Sequence, residues 1–250
     1  DVYKRQAKGG SLYAGGTAGY STAGISVKNS RMNMTISAIA NSQSESNVYA
    51  GGMFGYYSIT TGTTQSISCL IEGSVSAYAE RGTVYAGGTS GYSAGECYYS
   101  TYSQDYTTYN VYYTSIISSA SVSAESAGGN AYAGGFIGDA DYYIEAKVIQ
   151  TSGNVTATAR HYDRSYGTYG GSAYAGGTIG YCNVLNRNSS IITSFTSSGS
   201  INATGTKYGA AGGLFGYASI SNATLSESYT TGCVYGSHYA GGLFGDGYSN

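Results

Sequence analysis

The 250-residue sequence contains no proline and no tryptophan, and only 10% of its residues are charged. Proline lacks a backbone N–H and is excluded from central strands, so its absence is expected of a chain built almost wholly from hydrogen-bonded strands. With so few charges, the polar surface has to come from hydroxyl and amide side chains. Lysine and arginine total 11 against 13 acidic residues, without clustering. This excludes the basic footprint typical of nucleic-acid binding.

Long apolar runs and metal-ligand clusters are missing too. No run approaches the ~20 residues of a membrane-spanning helix, so we expect no membrane insertion in this segment. The two histidines have no partners at metal-ligand spacing, so neither a metal site nor a cofactor is predicted. Two cysteines can be bridged only if their Cα atoms lie within about 7 Å, which spacing cannot establish. The widely spaced cysteines are Cys69, Cys97, Cys182 and Cys233.

Glycine and tyrosine are abundant, with 40 and 30 residues, and they share one recurring motif. A typical copy is VYAGGMFGY, which begins at Val48. The copies begin at Leu12, Val48, Val84, Ala131, Ala173, Gly209 and His238. Seven copies at such intervals are typical of a stacked repeat architecture, whose periods run from about 20 to 50 residues.

A second pattern lies between the motifs, where a small residue, an apolar residue and another small residue alternate. Alternation with period two predicts a strand. The apolar members are Ile36, Val75, Val122, Val155, Ile201 and Val234, each followed two residues later by Ala38, Ala77, Ala124, Ala157, Ala203 or Gly236. Each repeat has a further apolar residue ahead of this alternating pattern. These residues are Ile25, Ile67, Ile116, Ile149, Ile192 and Leu225.

These repeats predict an all-β fold, a parallel β-helix or β-solenoid of about six to seven rungs with about three short strands per rung. Near-identical units stacked in register cover one another's hydrogen-bonding edges. A propeller of similar period would require four strands per unit and Trp-Asp signatures. Disorder, the other possibility for a Gly/Ser-rich chain, is disfavoured by the regular alternation. We expect residues 11–250 to form one repeat domain, a fragment of a longer array, and residues 1–10 to be a non-repeat scar or linker.

The faces of the motif strand follow from the same alternation. If the residue before each tyrosine points inward, the tyrosines form an outward ladder with about 4.8 Å between rungs. The opposite parity, which would bury the tyrosines, stays open at this point. The ladder consists of Tyr13, Tyr49, Tyr85, Tyr132, Tyr174 and Tyr239.

The stretch GGLFGYASISNATLSESYTTGCVYGSHYAGGLFG, from Gly212 to Gly245, resembles a GLUG-motif repeat. The match is sharpest in the last two copies and looser in the first five, where threonine often replaces the leucine after Gly-Gly. The resemblance implies a secreted or surface-anchored bacterial protein of the adhesin type with a β-helix-like stalk. The family's motif contains no catalytic residues that could be transferred to this sequence. What the resemblance implies about function therefore rests on analogy alone.

Two tyrosine-rich stretches, residues 96–113 and 160–172, interrupt the repeat. Insertions in repeat proteins map to loops on one face, often the binding face. Exposed tyrosines supply large contact area at low entropic cost, so these stretches are candidate glycan- or protein-binding loops. They could equally be β-arcs in a tyrosine-biased chain. The candidate residues are Tyr98, Tyr99, Tyr102, Tyr106, Tyr109, Tyr112, Tyr113, Tyr162, Tyr166 and Tyr169.

An acidic group, Asp139, Asp141 and Glu145, follows the fourth motif, where Asp139 replaces the usual tyrosine. A solvated turn is the simplest interpretation; calcium binding and catalysis with Lys147 or Asp163 are alternatives. Two hydrolytic carboxylates flank a substrate about 5–10 Å apart, whereas this group lies on one local segment. Ice binding is disfavoured because the Thr-x-Thr pairs do not hold one register.

The sequence therefore predicts a structural and adhesive module with no catalytic residues, secreted or at the cell surface. Its expected partner is a host or environmental glycan or surface protein, bound through the tyrosine-rich insertions. A polysaccharide-degrading β-helix enzyme is the alternative.

Overall fold

The computed structural model describes residues 2–7, 10–41, 44–61, 64–100, 105–109, 111–142, 144–160, 171–184, 191–220 and 224–248. Within these ranges all regular elements are strands. They are β1 (Val2–Ala7), β2 (Leu12–Gly15), β3 (Ala18–Ala23), β4 (Ser26–Lys28), β5 (Arg31–Ala40), β6 (Val48–Gly51), β7 (Phe54–Thr61), β8 (Thr64–Ala79), β9 (Val84–Gly87), β10 (Ser90–Ala94), β11 (Glu96–Ser100), β12 (Asp105–Tyr109), β13 (Val111–Ser118), β14 (Ser121–Ser126), β15 (Ala131–Gly134), β16 (Ile137–Asp141), β17 (Ile144–Thr151), β18 (Val155–Ala159), β19 (Ser172–Gly176), β20 (Ile179–Val184), β21 (Ile191–Ser197), β22 (Ile201–Gly205), β23 (Tyr208–Gly212), β24 (Phe215–Ile220), β25 (Thr224–Ser226), β26 (Tyr229–Thr230), β27 (Val234–Gly236), β28 (Tyr239–Gly241) and β29 (Phe244–Tyr248).

The seven motif strands form one parallel sheet, which we call the motif sheet, in the order β2-β6-β9-β15-β19-β23-β28. Identical motif positions pair with each other; for example, Val48 pairs with Val84 and Tyr49 with Tyr85. Each motif is followed by a strand of a second parallel sheet, ordered β29-β24-β20-β16-β10-β7-β3. The predicted all-β fold with parallel, in-register pairing of the motif copies is confirmed.

The remaining strands, apart from β11 and β12, belong to a long sheet with two columns joined by β8. The first half of β8 pairs with β4 and β13, and its second half pairs with β5 and β14. A repeat such as β15 to β18 therefore has four strand segments, where the sequence predicted about three. The described part contains one antiparallel pair, the hairpin β11–β12.

The predicted alternation is confirmed in the second column of the long sheet. Val75 pairs with both Ile36 and Val122, and the alanines two residues later pair in the same way. The register of the apolar residues that precede this alternation was predicted less well. Ile116 pairs with Cys69 and Ile149, whereas Ile192 pairs with Ala146 and Leu225. Ile67 pairs with Thr114, so the predicted residues occupy at least three register positions in place of one.

Two separate cores lie inside the fold. The small-residue core, between the motif sheet and the second column of the long sheet, contains mostly valine and alanine, such as Val84 and Ala124. The mixed core, between the second sheet and the first column, contains larger residues such as Phe136, Tyr113 and Phe195.

Motif glycines allow the motif sheet and the second sheet to approach closely. A Cβ on Gly55 would lie 2.5 Å from the Gly19 carbonyl oxygen and 2.8 Å from the Ala14 nitrogen. Because both atoms belong to the backbone, neither can move aside easily. The last motif glycine therefore has a steric role at the contact between the two sheets.

Six successive repeats each contain a non-glycine residue with positive φ at the same register position in the first column of the long sheet. Val148 has φ 56° and Ser115 has φ 56°. Their neighbours pair directly, as in Lys147 with Thr114 and Ile149 with Ile116. The column consists of Asn29, Ser68, Ser115, Val148, Ser194 and Glu227.

The start of the chain departs from expectation. Val2–Ala7 pairs in parallel with β5 over six residues, from Val2 with Thr35 to Ala7 with Ala40. Residues 2–7 therefore form a strand of the long sheet, where the sequence predicted a non-repeat scar or linker over residues 1–10.

Candidate functional site

The motif tyrosines form a column of stacked rings on the face of the motif sheet away from the small-residue core. The rings of Tyr49 and Tyr85 are 4.6 Å apart, centroid to centroid, and nearly parallel. Val84 and Ala86, which flank Tyr85, are fully buried. The predicted outward ladder is therefore confirmed, and the opposite parity is wrong.

The sixth copy of the motif has Ala210 at the tyrosine position, yet the column continues there. Tyr208 supplies the ring, with its centroid 5.5 Å from that of Tyr174 and 5.2 Å from that of Tyr239. The sequence comparison did not predict this role of Tyr208, because Tyr208 lies two residues before the motif position that Ala210 occupies.

A second column of tyrosines lies on the second sheet and was not predicted. Its members are Tyr20, Tyr56, Tyr92, Tyr181 and Tyr217. Ring centroids are 4.7 Å apart for Tyr56 and Tyr92 and again for Tyr181 and Tyr217. The signal was present in the sequence, since a tyrosine closes five of the seven motif copies.

The two columns contact each other edge to face, and together they form what we call the tyrosine face. Tyr56 meets Tyr49 at 5.2 Å with an interplanar angle of 89°, and Tyr181 meets Tyr174 at 5.3 Å with an angle of 74°. Such T-shaped pairs are favoured by the ring quadrupole. Because neighbouring rings cover the faces, the edges and hydroxyl groups are what remain for outside contacts.

Burial within this face keeps the phenols of Tyr49, Tyr92 and Tyr181 neutral at physiological pH. Burial raises the pKa of Tyr49 to about 12, with a smaller contribution from the neighbouring Tyr13. Burial likewise raises the pKa of Tyr181 to about 12. The pKa of Tyr92 is raised as well, first by burial and then by the charge of Asp141.

An acidic pair, Asp139 and Asp141, interrupts the second tyrosine column. Asp139 pairs with Tyr92 on one side and Tyr181 on the other, so its carboxyl group takes the place of a ring. Only 7% of Asp139 is exposed. The prediction that these residues form a solvated turn is therefore wrong for Asp139, because the surrounding tyrosines cover it.

Hydrogen bonding differs between the two carboxyl groups. Asp141 accepts a 3.1 Å hydrogen bond from the Tyr92 hydroxyl, whereas Oδ1 of Asp139 is buried without a partner among the described residues. Burial raises the pKa of Asp139, and the charge of Asp141 raises it further. Burial also raises the pKa of Asp141, opposed by hydrogen bonds from Tyr92 and Asn183.

The other members of the predicted acidic group do not join this pair. Glu145 lies on β17 and forms an ion pair with Lys147. Asp163 lies outside the described residues. Across the described ranges, no group of three or more histidine, cysteine, aspartate or glutamate side chains could hold a metal ion.

The first tyrosine-rich insertion contains the hairpin β11–β12, in which Tyr99 pairs with Tyr106 and Glu96 with Tyr109. For the candidate residues of the hairpin, Tyr98, Tyr99, Tyr106 and Tyr109, only the backbone is described. The candidates outside the described residues are Tyr102, Tyr162, Tyr166 and Tyr169.

Of the two remaining candidates, Tyr113 does not belong to an exposed surface. It is fully buried in the mixed core, where its hydroxyl lies 3.1 Å from Ser90 Oγ and 3.0 Å from Ser93 Oγ. Alternation along β13 turns Tyr113 inward and leaves Tyr112 half-buried. The prediction of a binding role is therefore wrong for Tyr113.

The two insertions leave the repeat at different points. The hairpin follows β10 of the second sheet and precedes β13 of the long sheet. The second insertion follows β18 of the long sheet and precedes β19 of the motif sheet. The strands that flank the two insertions belong to different sheets. The expectation that both insertions lie on one face is therefore not met at their points of attachment.

The described cysteine side chains fit the prediction of small residues in or near strands. Cys69 and Cys182 are buried thiols, and Cys233 is an exposed one. Burial raises the pKa of Cys69, which disfavours its reactive thiolate form. Within the described residues there is no helix with the length and hydrophobicity to cross a membrane.

The chain matches no protein-family model, no curated protein and no solved structure.

Proposed function

We propose that the chain is a structural and adhesive repeat module of a secreted or cell-surface bacterial protein. In this proposal the parallel sheets wind as a β-solenoid of about six to seven rungs, which supplies length. The tyrosine-rich insertions supply contacts to a glycan or a surface protein, and the module is not an enzyme. The resemblance of residues 212–245 to GLUG-motif repeats supports the surface location.

The observation that carries the proposal is the pairing of like with like in successive repeats. Tyr85 pairs with Tyr49 and with Tyr132, and Val122 pairs with Val75 and with Val155. Arrays of this kind extend by adding units that contact only their neighbours. Each added unit lengthens the array by about 4.8 Å, the spacing of hydrogen-bonded strands, which suits a spacer.

The contact role falls to the insertions because the tyrosine face offers little open ring surface. Its rings stack on one another within the columns, so a sugar could reach their edges and hydroxyl groups but few ring faces. The hairpin β11–β12 forms a two-stranded sheet of its own outside the repeated strand pattern, and binding residues are often found on such connecting segments.

A binding experiment tests the contact role. The chain and a variant with Tyr98, Tyr102 and Tyr106 replaced by Ala are compared for binding to immobilised mucin and a glycan panel. We expect the variant to bind at least about tenfold more weakly, since alanine replacement of tyrosine anchors typically costs over 1 kcal/mol each. Tyr78→Ala, on the outer face of β8, is the matched control and should bind like the wild type. Equal binding by all three proteins would contradict the role of the hairpin.

A polysaccharide-degrading enzyme is the second candidate, and the acidic pair favours it. A buried carboxyl group with a raised pKa can serve as a general acid, and a second carboxylate completes the usual glycosidase pair. Alternate residues on one strand project to the same side about 6.6 Å apart, within the range that such pairs span. The low exposure of Asp139 opposes this candidate, because a substrate has to reach the acid.

Release of reducing sugars from acidic and neutral polysaccharides distinguishes the two candidates. The adhesive module predicts no release by the chain. Release that disappears in Asp139→Asn would establish the enzyme and contradict the first proposal.

A further inference from the structure

Asp139 occupies the one position inside the second tyrosine column where a ring is replaced by an ionisable group. Tyr92 and Tyr181 are its register neighbours, and each stacks on a further tyrosine away from it. Rings of the motif sheet complete the surroundings, since Tyr85 and Tyr132 both interact electrostatically with the Asp139 carboxyl.

Among the described residues, no cationic side chain compensates the charge of this carboxyl group. The titratable groups that face it are five tyrosines and one aspartate: Tyr49 of β6, Tyr85 of β9, Tyr92 of β10, Tyr132 of β15, Tyr181 of β20 and Asp141 of its own strand. In this set, drawn from the described residues, each group is neutral or acidic. The Tyr92 hydroxyl donates to Asp141, and Oδ1 of Asp139 has no hydrogen-bond partner in the part of the chain that the structure describes. A buried carboxylate in such surroundings is strongly unfavourable, whereas a neutral carboxyl group is tolerated.

We infer that Asp139 is a pH-sensitive device within the fold. When protonated, it leaves the tyrosine face closed and uncharged. When it ionises, it places an unpaired charge beside Asp141 among the rings and weakens the packing of β15, β16 and β20. The inference rests on the surroundings of Asp139 alone and does not depend on the proposed binding role.

The direction of the effect follows from the raised pKa. An unfolded aspartate titrates near pH 3.9. Because the folded pKa of Asp139 lies above that value, the folded state binds the proton more tightly. Its stabilising contribution is complete below the unfolded pKa and is lost as the pH rises through the folded pKa. Most carboxylates, which are stabilised in their charged form, act in the opposite direction.

Amide hydrogen exchange between pH 4 and pH 8, corrected for intrinsic rates, tests the inference on the full chain. In the wild type we expect the local opening constant of β15, β16 and β20 to rise at least about tenfold, the change that one unit of pKa difference produces. Asp139→Asn should remove this rise. Asp246→Asn is the matched control, because Asp246 occupies the same register position at β29 and is only half-buried. It should keep the wild-type dependence.

Two further measurements decide the matter if Asp139→Asn does not fold. Asp139→Tyr restores a ring to the column and should also abolish the pH dependence. Carbon-13 NMR of the Asp139 carboxyl should give a titration midpoint well above the ordinary value. A midpoint near 3.9, or unchanged pH dependence in the folded variants, would overturn the inference. A midpoint that falls on addition of calcium chloride would also overturn it, because an external cation would then be the partner of the carboxylate.

Discussion

The small-residue core and the mixed core lie side by side in every repeat, yet they are filled in different ways. In the small-residue core the second column of the long sheet contributes nearly the same residues in each repeat, as in Ala77, Ala124 and Ala157. In the mixed core one position changes size between neighbours, for example Tyr113 beside Ala146. Both sets of residues are almost fully buried, so both cores are tightly packed.

The difference teaches that a repeat can be conserved in shape by two routes. In the second column of the small-residue core, alanine recurs at the same position in successive repeats. In the mixed core, the residue at one position changes in size from one repeat to the next; Phe195 beside Ile149 is another case. The predictions below test whether these routes respond differently to substitution.

Removing a large side chain from the mixed core should have the largest effect. Phe136 is fully buried and meets the Tyr113 ring edge to face at 4.8 Å. Phe136→Ala should lower the free energy of unfolding by about 3–5 kcal/mol because it leaves a cavity. Urea unfolding followed by circular dichroism measures the change. Phe244→Ala, at a ring that is 39% exposed, is the control and should lower it by less than about 1.5 kcal/mol. Equal losses would contradict the packing described for the mixed core.

Enlarging a side chain in the small-residue core should have the next largest effect. Ala124 is fully buried between Ala77 and Ala157, so no neighbour in its column can shrink to compensate. Ala124→Leu should lower the free energy of unfolding by about 1–3 kcal/mol. The control Ser123→Leu changes the adjacent, exposed residue and should stay within about 0.5 kcal/mol of the wild type. If Ala124→Leu were as well tolerated as its control, the position-by-position filling of this core would be refuted.

Relief of backbone strain should give the smallest effect and the only gain in stability. Val148 is 42% exposed and has φ 56°, a conformation that L-residues adopt at a cost of roughly 1–2 kcal/mol and that asparagine tolerates better. Val148→Asn should therefore raise the free energy of unfolding by up to about 1 kcal/mol. Ser115→Asn, at the equivalent position, should give a smaller gain because serine is not β-branched. A loss of stability in Val148→Asn would show that the valine side chain makes contacts that outweigh the strain.

The sequence predicted those parts of the fold in which each repeat carries the same residue at the same place. The motif strands, the outward column with Tyr85 and the alternation around Val122 all follow from identity and period two. The mixed core was beyond such reasoning, because Tyr113 and Ala146 share a position that no motif reveals.

The candidate site was predicted less completely than the fold. The second tyrosine column went unnoticed although its residues end most motif copies, because a contact between columns depends on how two sheets meet. Asp139 was noticed as a departure from the motif, but its burial arises from rings contributed by other repeats. Tyr113 was misplaced because a tyrosine-rich stretch carries no sign of where the insertion ends and β13 begins.

Distances between spin labels test the central claim, that successive repeats stack in parallel along one axis, most directly. Ser37, Ser76, Ser123, Thr156, Asn202 and Tyr235 are successive register partners in the long sheet. With Cys97 and Cys233 replaced by serine, label pairs at Ser37 with Thr156 and at Ser37 with Tyr235 span three and five steps. At about 4.8 Å per step, the expected backbone separations are about 14 Å and about 24 Å. Separations that do not grow with the number of steps would contradict the stacked arrangement.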